Sequence, residues 1–199
     1  FRSIAATKDA IFILAVGNPA KLIKIDKKSL QETIVYQEEN EKVFYDSMQF
    51  VDNLNGFAMG DPTEDCLSFI KTADGGNSWE KVSCANFPKV SEGEAAFATS
   101  NTNLIVKGKS IFMVSGGKKS RVFVSLDFGT SWQVYETPIV QGEEMTGIFT
   151  ADFYNDKTGI IAGGNYLKQT QNWSNKAITT NGGKTWNLIA ENEAFGYAS

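Results

Sequence analysis

The chain has 199 residues, 42% hydrophobic and 21% charged, with a net charge of -4. That composition suits a packed core, and the mixing of lysines with acids leaves no basic footprint for nucleic acid. With no His, only Arg2 and Arg121 as arginines, two cysteines and no apolar run near ~18 residues, the sequence lacks the usual general base, a thiolate metal cage and a membrane-spanning helix; no cofactor or metal is expected.

Taken in chain order, Ile11 to Gly17 and Leu22 to Asp26 read as two strands of a divergent first unit, closed by Asp26-Lys27-Lys28-Ser29. The second unit opens on Phe50-Val51-Asp52-Asn53-Leu54-Asn55-Gly56-Phe57-Ala58-Met59-Gly60 and continues through a β-type run, Leu67 to Lys71. Then comes the octet Thr72-Ala73-Asp74-Gly75-Gly76-Asn77-Ser78-Trp79, followed by Lys81-Val82. The third unit has Leu104-Ile105-Val106, a Lys107-Gly108-Lys109 turn, Ile111 to Val114, a Gly116-Gly117-Lys118-Lys119-Ser120 turn and Val122 to Val124. Its octet is Ser125-Leu126-Asp127-Phe128-Gly129-Thr130-Ser131-Trp132, and Val134-Tyr135 follow. The fourth repeats the first motif of the second unit as Phe153 to Gly163, an offset of 103 residues. Ala177-Ile178, the octet Thr179-Thr180-Asn181-Gly182-Gly183-Lys184-Thr185-Trp186 and Leu188-Ile189 complete it.

The Trp-to-Trp steps are 53 and 54 residues. An Asp or Asn accepts backbone N–H groups across a tight turn, Gly supplies positive φ, and the Trp buries a large ring. The units therefore predict an all-β chain of four-stranded antiparallel blades, a β-propeller, with blades near 1–43, 44–95, 96–148 and 149–194. Phe195 to Ser199 stands where another blade would begin. The expected structural positions are Asp74, Gly76 and Trp79, Asp127, Gly129 and Trp132, and Asn181, Gly183 and Trp186.

At these octets the chain resembles the BNR/Asp-box repeat proteins, which include sialidases, sortilin-like receptors and photosystem II stability/assembly-factor-like propellers. It looks most like the bacterial assembly-factor-like members. The resemblance implies a propeller of six to eight blades, whereas about four are present, so the expectation is part of a larger propeller whose open sheet edges self-associate. It says little of function. The arginine triad of sialidases needs three guanidiniums. Only two arginines exist, and Arg2 in Phe1-Arg2-Ser3-Ile4 lacks the following Pro of the sialidase motif.

Long loops on a rigid scaffold are where function concentrates. Octet turns and first hairpins fall on one face of such a propeller. Asp61 to Asp65, Ala85 to Glu94, Thr137 to Met145 and Asn165 to Asn175 fall on the other. The candidate binding face thus carries Asp61, Glu64, Asp65, Glu92, Glu94, Glu143, Glu144 and Arg121. These charges read as a solvated rim, with a glycosidase pair or a Ca²⁺ site as sharper readings. Phe87, Tyr166 and Trp173 read as partner anchors or as an apolar cluster under the loops. Val114-Ser115-Gly116 and Asn77-Ser78-Trp79 lack a nucleophile-elbow frame. Cys66 and Cys84 each lie nine residues from Gly75, so a symmetric hairpin would face them across adjacent strands as a disulfide.

The functional expectation is a non-enzymatic scaffold binding a protein or peptide through its long-loop face. The alternative is a carbohydrate-active protein, a glycoside hydrolase or a lectin-like binder. The expected setting is periplasmic, cell-surface or extracellular.

Overall fold

The computed structural model describes residues 1–98 and 101–193; the expected start of a further blade, Phe195 to Ser199, lies outside them. The first sheet is β1 (Ser3–Ala6), β2 (Ala10–Leu14), β3 (Ala20–Asp26) and β4 (Glu32–Glu38), all antiparallel and in chain order. The second is β5 (Tyr45–Phe50), β6 (Gly56–Gly60), β7 (Ser68–Thr72) and β8 (Glu80–Lys81). After a 3-10 turn, Cys84–Asn86, come β9 (Glu94–Ala95), β10 (Leu104–Lys107), β11 (Ser110–Val114), β12 (Gly116–Gly117), β13 (Arg121–Ser125) and β14 (Gln133–Glu136). Of these, β10, β11, β13 and β14 form the third sheet. The fourth sheet holds β15 (Thr146–Phe153), β16 (Gly159–Asn165), β17 (Lys176–Thr179) and β18 (Asn187–Leu188), and β15 opens three residues before the expected fourth unit.

Two features differ from the sequence expectation. The fourth sheet has six strands, because β12 pairs with β15 and β9 pairs with β12. Gly116-Gly117, expected as a turn, is therefore a strand that ties the third blade to the fourth. Only glycines fit there: a Cβ on Gly147, itself at φ +139, would lie 2.3 Å from the Gly116 Cα.

The sheets stack face to face, the inner strand β1 on β5, β5 on β10 and β10 on β15. Alternation gives each blade a forward face toward the next blade and a back face toward the previous one. Three apolar layers result. Phe12, Leu14 and Leu22 meet Met48, Ala58 and Ile70 between the first two blades. Phe57, Met59 and Phe69 meet Leu104, Met113 and Phe123 in the next layer. Phe112, Val122 and Val124 meet Ile148, Phe153 and Ala177 in the last. The octet tryptophans wedge into these layers, Trp79 edge-on to Phe50, Trp132 to Phe69 and Trp186 to Phe153. This is the propeller arrangement, built of sheets whose faces are buried by their neighbours.

The octets show why their residue types recur. The Asp127 carboxylate accepts from the amides of Thr130 and Ser131 at 3.1 and 2.9 Å and from the hydroxyls of Ser125 and Ser131 at 2.8 and 2.6 Å. Asp74 repeats the pattern with Thr72, Asn77 and Ser78. In the third copy the Asn181 Oδ1 accepts from Thr179 and Thr185, while its Nδ2 donates to the Thr185 hydroxyl. No ionisation is needed for the turn. The divergent first unit keeps a shorter form, in which the Asp26 carboxylate caps the amides of Lys28 and Ser29.

Candidate functional site

The strand order places Asp61 to Asp65, the Ala85 to Glu94 segment, Thr137 to Met145 and Asn165 to Asn175 together at the end of the blades opposite the octet turns. These loops do not form one acidic site. Glu94 is buried, at 3% exposure, and is wholly engaged within the fold. It accepts from the Arg121 Nε at 2.8 Å, from Arg121 Nη2, from the Ser115 hydroxyl at 2.6 Å and from the Ser91 amide at 2.8 Å. Arg121 also donates to the Lys89 carbonyl. A buried carboxylate with a two-pronged guanidinium partner is a latch between blades rather than a ligand contact.

Asp65 pairs with Lys89 in solvent, whereas Glu64, Glu92 and Glu144 are exposed. Phe87 belongs to the second core layer, 4.7 Å from Trp132 between ring centres, and is no anchor. Cys66 and Cys84 form a disulfide with Cα atoms 5.5 Å apart. The bridge is not made across the paired strands as the symmetric hairpin suggests. The register pairs Ile70 with Lys81, one residue off that symmetry, and both cysteines lie outside β7 and β8, Cys84 opening the 3-10 turn.

Asp61 points inward instead, accepting from the Ala96 amide at 3.0 Å, and burial pushes it up to about 6. Beside it lies Asp46, fully buried, which burial and then the Asp61 charge push up to about 8 against the pull of Arg2. Asp46 is the extra residue of a β-bulge between Tyr45 and Ser47. In the fourth blade the residue 103 positions on, Phe149, sits at a bulge too and packs on Phe97 at 4.6 Å. Sequence reasoning missed Asp46; the one available signal was an acid where the repeat elsewhere carries a phenylalanine.

Two of the long loops do converge. Thr137 to Met145 and Asn165 to Asn175 wall a cleft of about 480 Å³ lined by Ile139, Val140, Gln141, Glu143, Lys168 and Trp173, among others. Backbone bonds from Val140 to Ser174 and from Tyr166 to Met145 fix the walls. Glu143 accepts from Lys168 at 3.2 Å and from Asn165 at 3.0 Å, and the Lys168 bond above all holds its carboxyl below the ordinary range. Trp173, in the lining, is 52% exposed; Tyr166, 43% exposed, lies on the same loop but outside the lining. An apolar floor, the side-chain amides of Gln141, Asn165 and Gln171, an ion pair and the exposed Trp173 ring suit binding of a polar, extended ligand. No group of three or more metal-ligating side chains occurs among the described residues, and no described helix is long and apolar enough to cross a membrane.

No family model matches this sequence, and no curated protein does. Solved structures do match. YCF48 bound to a D1 peptide aligns at TM-score 0.50 and 18% identity over 77% of this chain and 41% of its own. A GH74 enzyme of Niastella koreensis aligns at TM-score 0.64 and 16% identity over 94% of this chain and 29% of its own. An ancestral GH74 enzyme aligns at TM-score 0.59 and 15% identity, over 96% and 24%. The chain spans less than half the length of each. At these identities the likeness is one of fold: the chain is an array of β-propeller blades.

Proposed function

We propose that this chain is a non-enzymatic propeller scaffold that binds a protein or peptide through its long-loop face, at the cleft between the third and fourth blades. The observation that carries the reading is the exposed Trp173 in the lining of a cleft that also holds the Glu143–Lys168 pair. Aromatic anchors beside matched polar groups are the usual energetic centre of peptide recognition. The neighbour solved with a peptide, YCF48, adds support from the same fold. The Cys66–Cys84 bridge supports an oxidising setting, periplasmic, cell-surface or extracellular.

The glycan reading draws on the same exposed rings and on the GH74 neighbours. It is weaker, because the acids first considered for it do not face one another across a cleft: Glu94 is latched to Arg121 and Asp65 is paired with Lys89.

The test is selection of a displayed library of unstructured peptides on this chain, with the affinities of the binders then measured by calorimetry. Trp173→Ala is expected to weaken them by roughly 30-fold, equivalent to about 2 kcal/mol, and Leu54→Ala on the opposite face to leave them unchanged. A library without binders, or binders indifferent to Trp173, would overturn the reading; a glycan array answering to Trp173 would favour the alternative.

A further inference from the structure

A second cleft, of about 420 Å³, lies between the second and third blades at the octet end, opposite the long loops. Its lining includes Asn55, Phe57, Lys71, Glu80, Phe128 and Thr130. The register sets Phe57 beside Lys71 and Lys71 beside Glu80, so one cross-strand row runs over β6, β7 and β8 on a single face. In the third blade the matching row is Phe112, Val124 and Gln133, where Val124, like Lys71, stands one residue ahead of its octet. Val124 is buried in the layer against the fourth blade. A lysine where the repeat packs a valine keeps this end of the second blade polar. Among the described residues, neither the Lys71 ammonium nor the Glu80 carboxylate has a hydrogen-bond or ion-pair partner.

Phe128 reaches this cleft from the octet of the third blade. Its amide donates to the Lys109 carbonyl in the first hairpin of its own blade, as Gly75 does to Leu54 and Gly182 to Lys157. The three positions are therefore equivalent, and all are left-handed, at φ +57, +74 and +74. Glycine takes that conformation freely, whereas a phenylalanine there is sterically strained. The strained ring extends a stack that runs Phe69, Phe57, Phe128, with centroids 5.8 and 6.1 Å apart. Phe69 and Phe57 are buried, and the half-buried Phe128 ends the stack in the cleft lining. Strain retained where two sister turns use glycine points to a use beyond closing the turn.

The lining sets the chemistry of the occupant. An ammonium only donates and a carboxylate only accepts, so a charged ligand would satisfy one of Lys71 and Glu80 and be repelled by the other. A neutral ligand rich in hydroxyls answers both, because each hydroxyl donates and accepts. Its C–H face also suits the flat apolar ring of Phe128. We infer that this cleft is a binding subsite for a neutral saccharide, with one sugar ring against Phe128 and its hydroxyls on Lys71 and Glu80. The subsite lies at the opposite end of the blades from the peptide cleft and does not rest on the peptide reading.

Calorimetric titration with cellotetraose, xylotetraose, mannotetraose and maltotetraose, beside the anionic tetragalacturonate, tests this. At least one neutral tetrasaccharide should bind saturably and more tightly than tetragalacturonate. Phe128→Gly, which installs the residue of the sister octets, should weaken that binding about ten-fold with the circular dichroism unchanged. Glu80→Gln, at an exposed side chain, should weaken it about ten-fold as well. Trp173→Ala, in the peptide cleft, should have no effect. No saturable binding by any neutral tetrasaccharide would overturn the inference, as would a preference for tetragalacturonate. Binding indifferent to both Phe128→Gly and Glu80→Gln, or lost with Trp173→Ala, would overturn it too.

Discussion

Asp46 makes the stability of this protein depend on pH in an unusual direction. Its folded pKa is pushed up to about 8 from 3.8, because the carboxylate is buried without a hydrogen-bond partner, beside Asp61 and with only Arg2 opposing. A group whose folded pKa exceeds its unfolded value binds its proton more tightly in the folded state. Its contribution is therefore fully present below pH ~4 and is lost as the pH rises toward 8. At ~1.4 kcal/mol per unit, the interval from 3.8 to pH 7 corresponds to about 4 kcal/mol as an upper bound, and relaxation of the bulge lowers it to about half in effect. Asp61, raised to about 6 by burial, acts in the same sense over the lower part of that range. Urea unfolding of the unaltered chain and of Asp46→Asn, measured at intervals from pH 4 to pH 8, checks the reasoning. The two should be similar near pH 4, and Asp46→Asn should be the more stable by about 2–4 kcal/mol at pH 8. Parallel curves, or an Asp46→Asn chain that is less stable at pH 8, would refute the burial argument.

Three further outcomes follow from the geometry. Asp127→Ala removes the acceptor of four turn hydrogen bonds and should cost about 1–2 kcal/mol in urea unfolding, whereas Asp127→Asn should cost less, since Asn181 already holds the same turn. Intact mass after alkylation without reductant should show no modified thiol, and the double change Cys66→Ser and Cys84→Ser should lower stability by about 3 kcal/mol for a bridge closing a loop of this length. Glu94→Gln leaves the Arg121 guanidinium, with 12% of its side chain exposed, facing a neutral amide, and a loss of about 3 kcal/mol is expected by thermal or urea melting.

The candidate cleft was only half legible in the sequence. Loop length singled out four segments, two of which wall the cleft, and Trp173 and Glu143 of its lining were named from them. The partner of Glu143, Lys168, was not, because an ion pair 25 residues apart depends on how two loops fold back on each other. Glu94 and Arg121 were misjudged for the same reason: exposed-looking charges in loop-adjacent sequence are 27 residues apart and meet only when β13 packs beside the Ala85 to Glu94 segment.

What the sequence determined by itself is whatever is decided within a few residues. Each octet turn is closed by bonds spanning two to four positions, so Asp74, Asp127 and Asn181 announce their role wherever they recur. Strand alternation is likewise local, and with the repeat spacing it is enough for a propeller. The tertiary structure alone decided which faces meet. It set the one-residue register that moved the Cys66–Cys84 bridge outside the strands, turned Gly116-Gly117 into a strand of the next sheet, and buried Phe87. It also put Asp46 beside Asp61. These follow from the stacking of sheets, where side chains far apart in sequence share one layer, and no local pattern encodes which layer that will be.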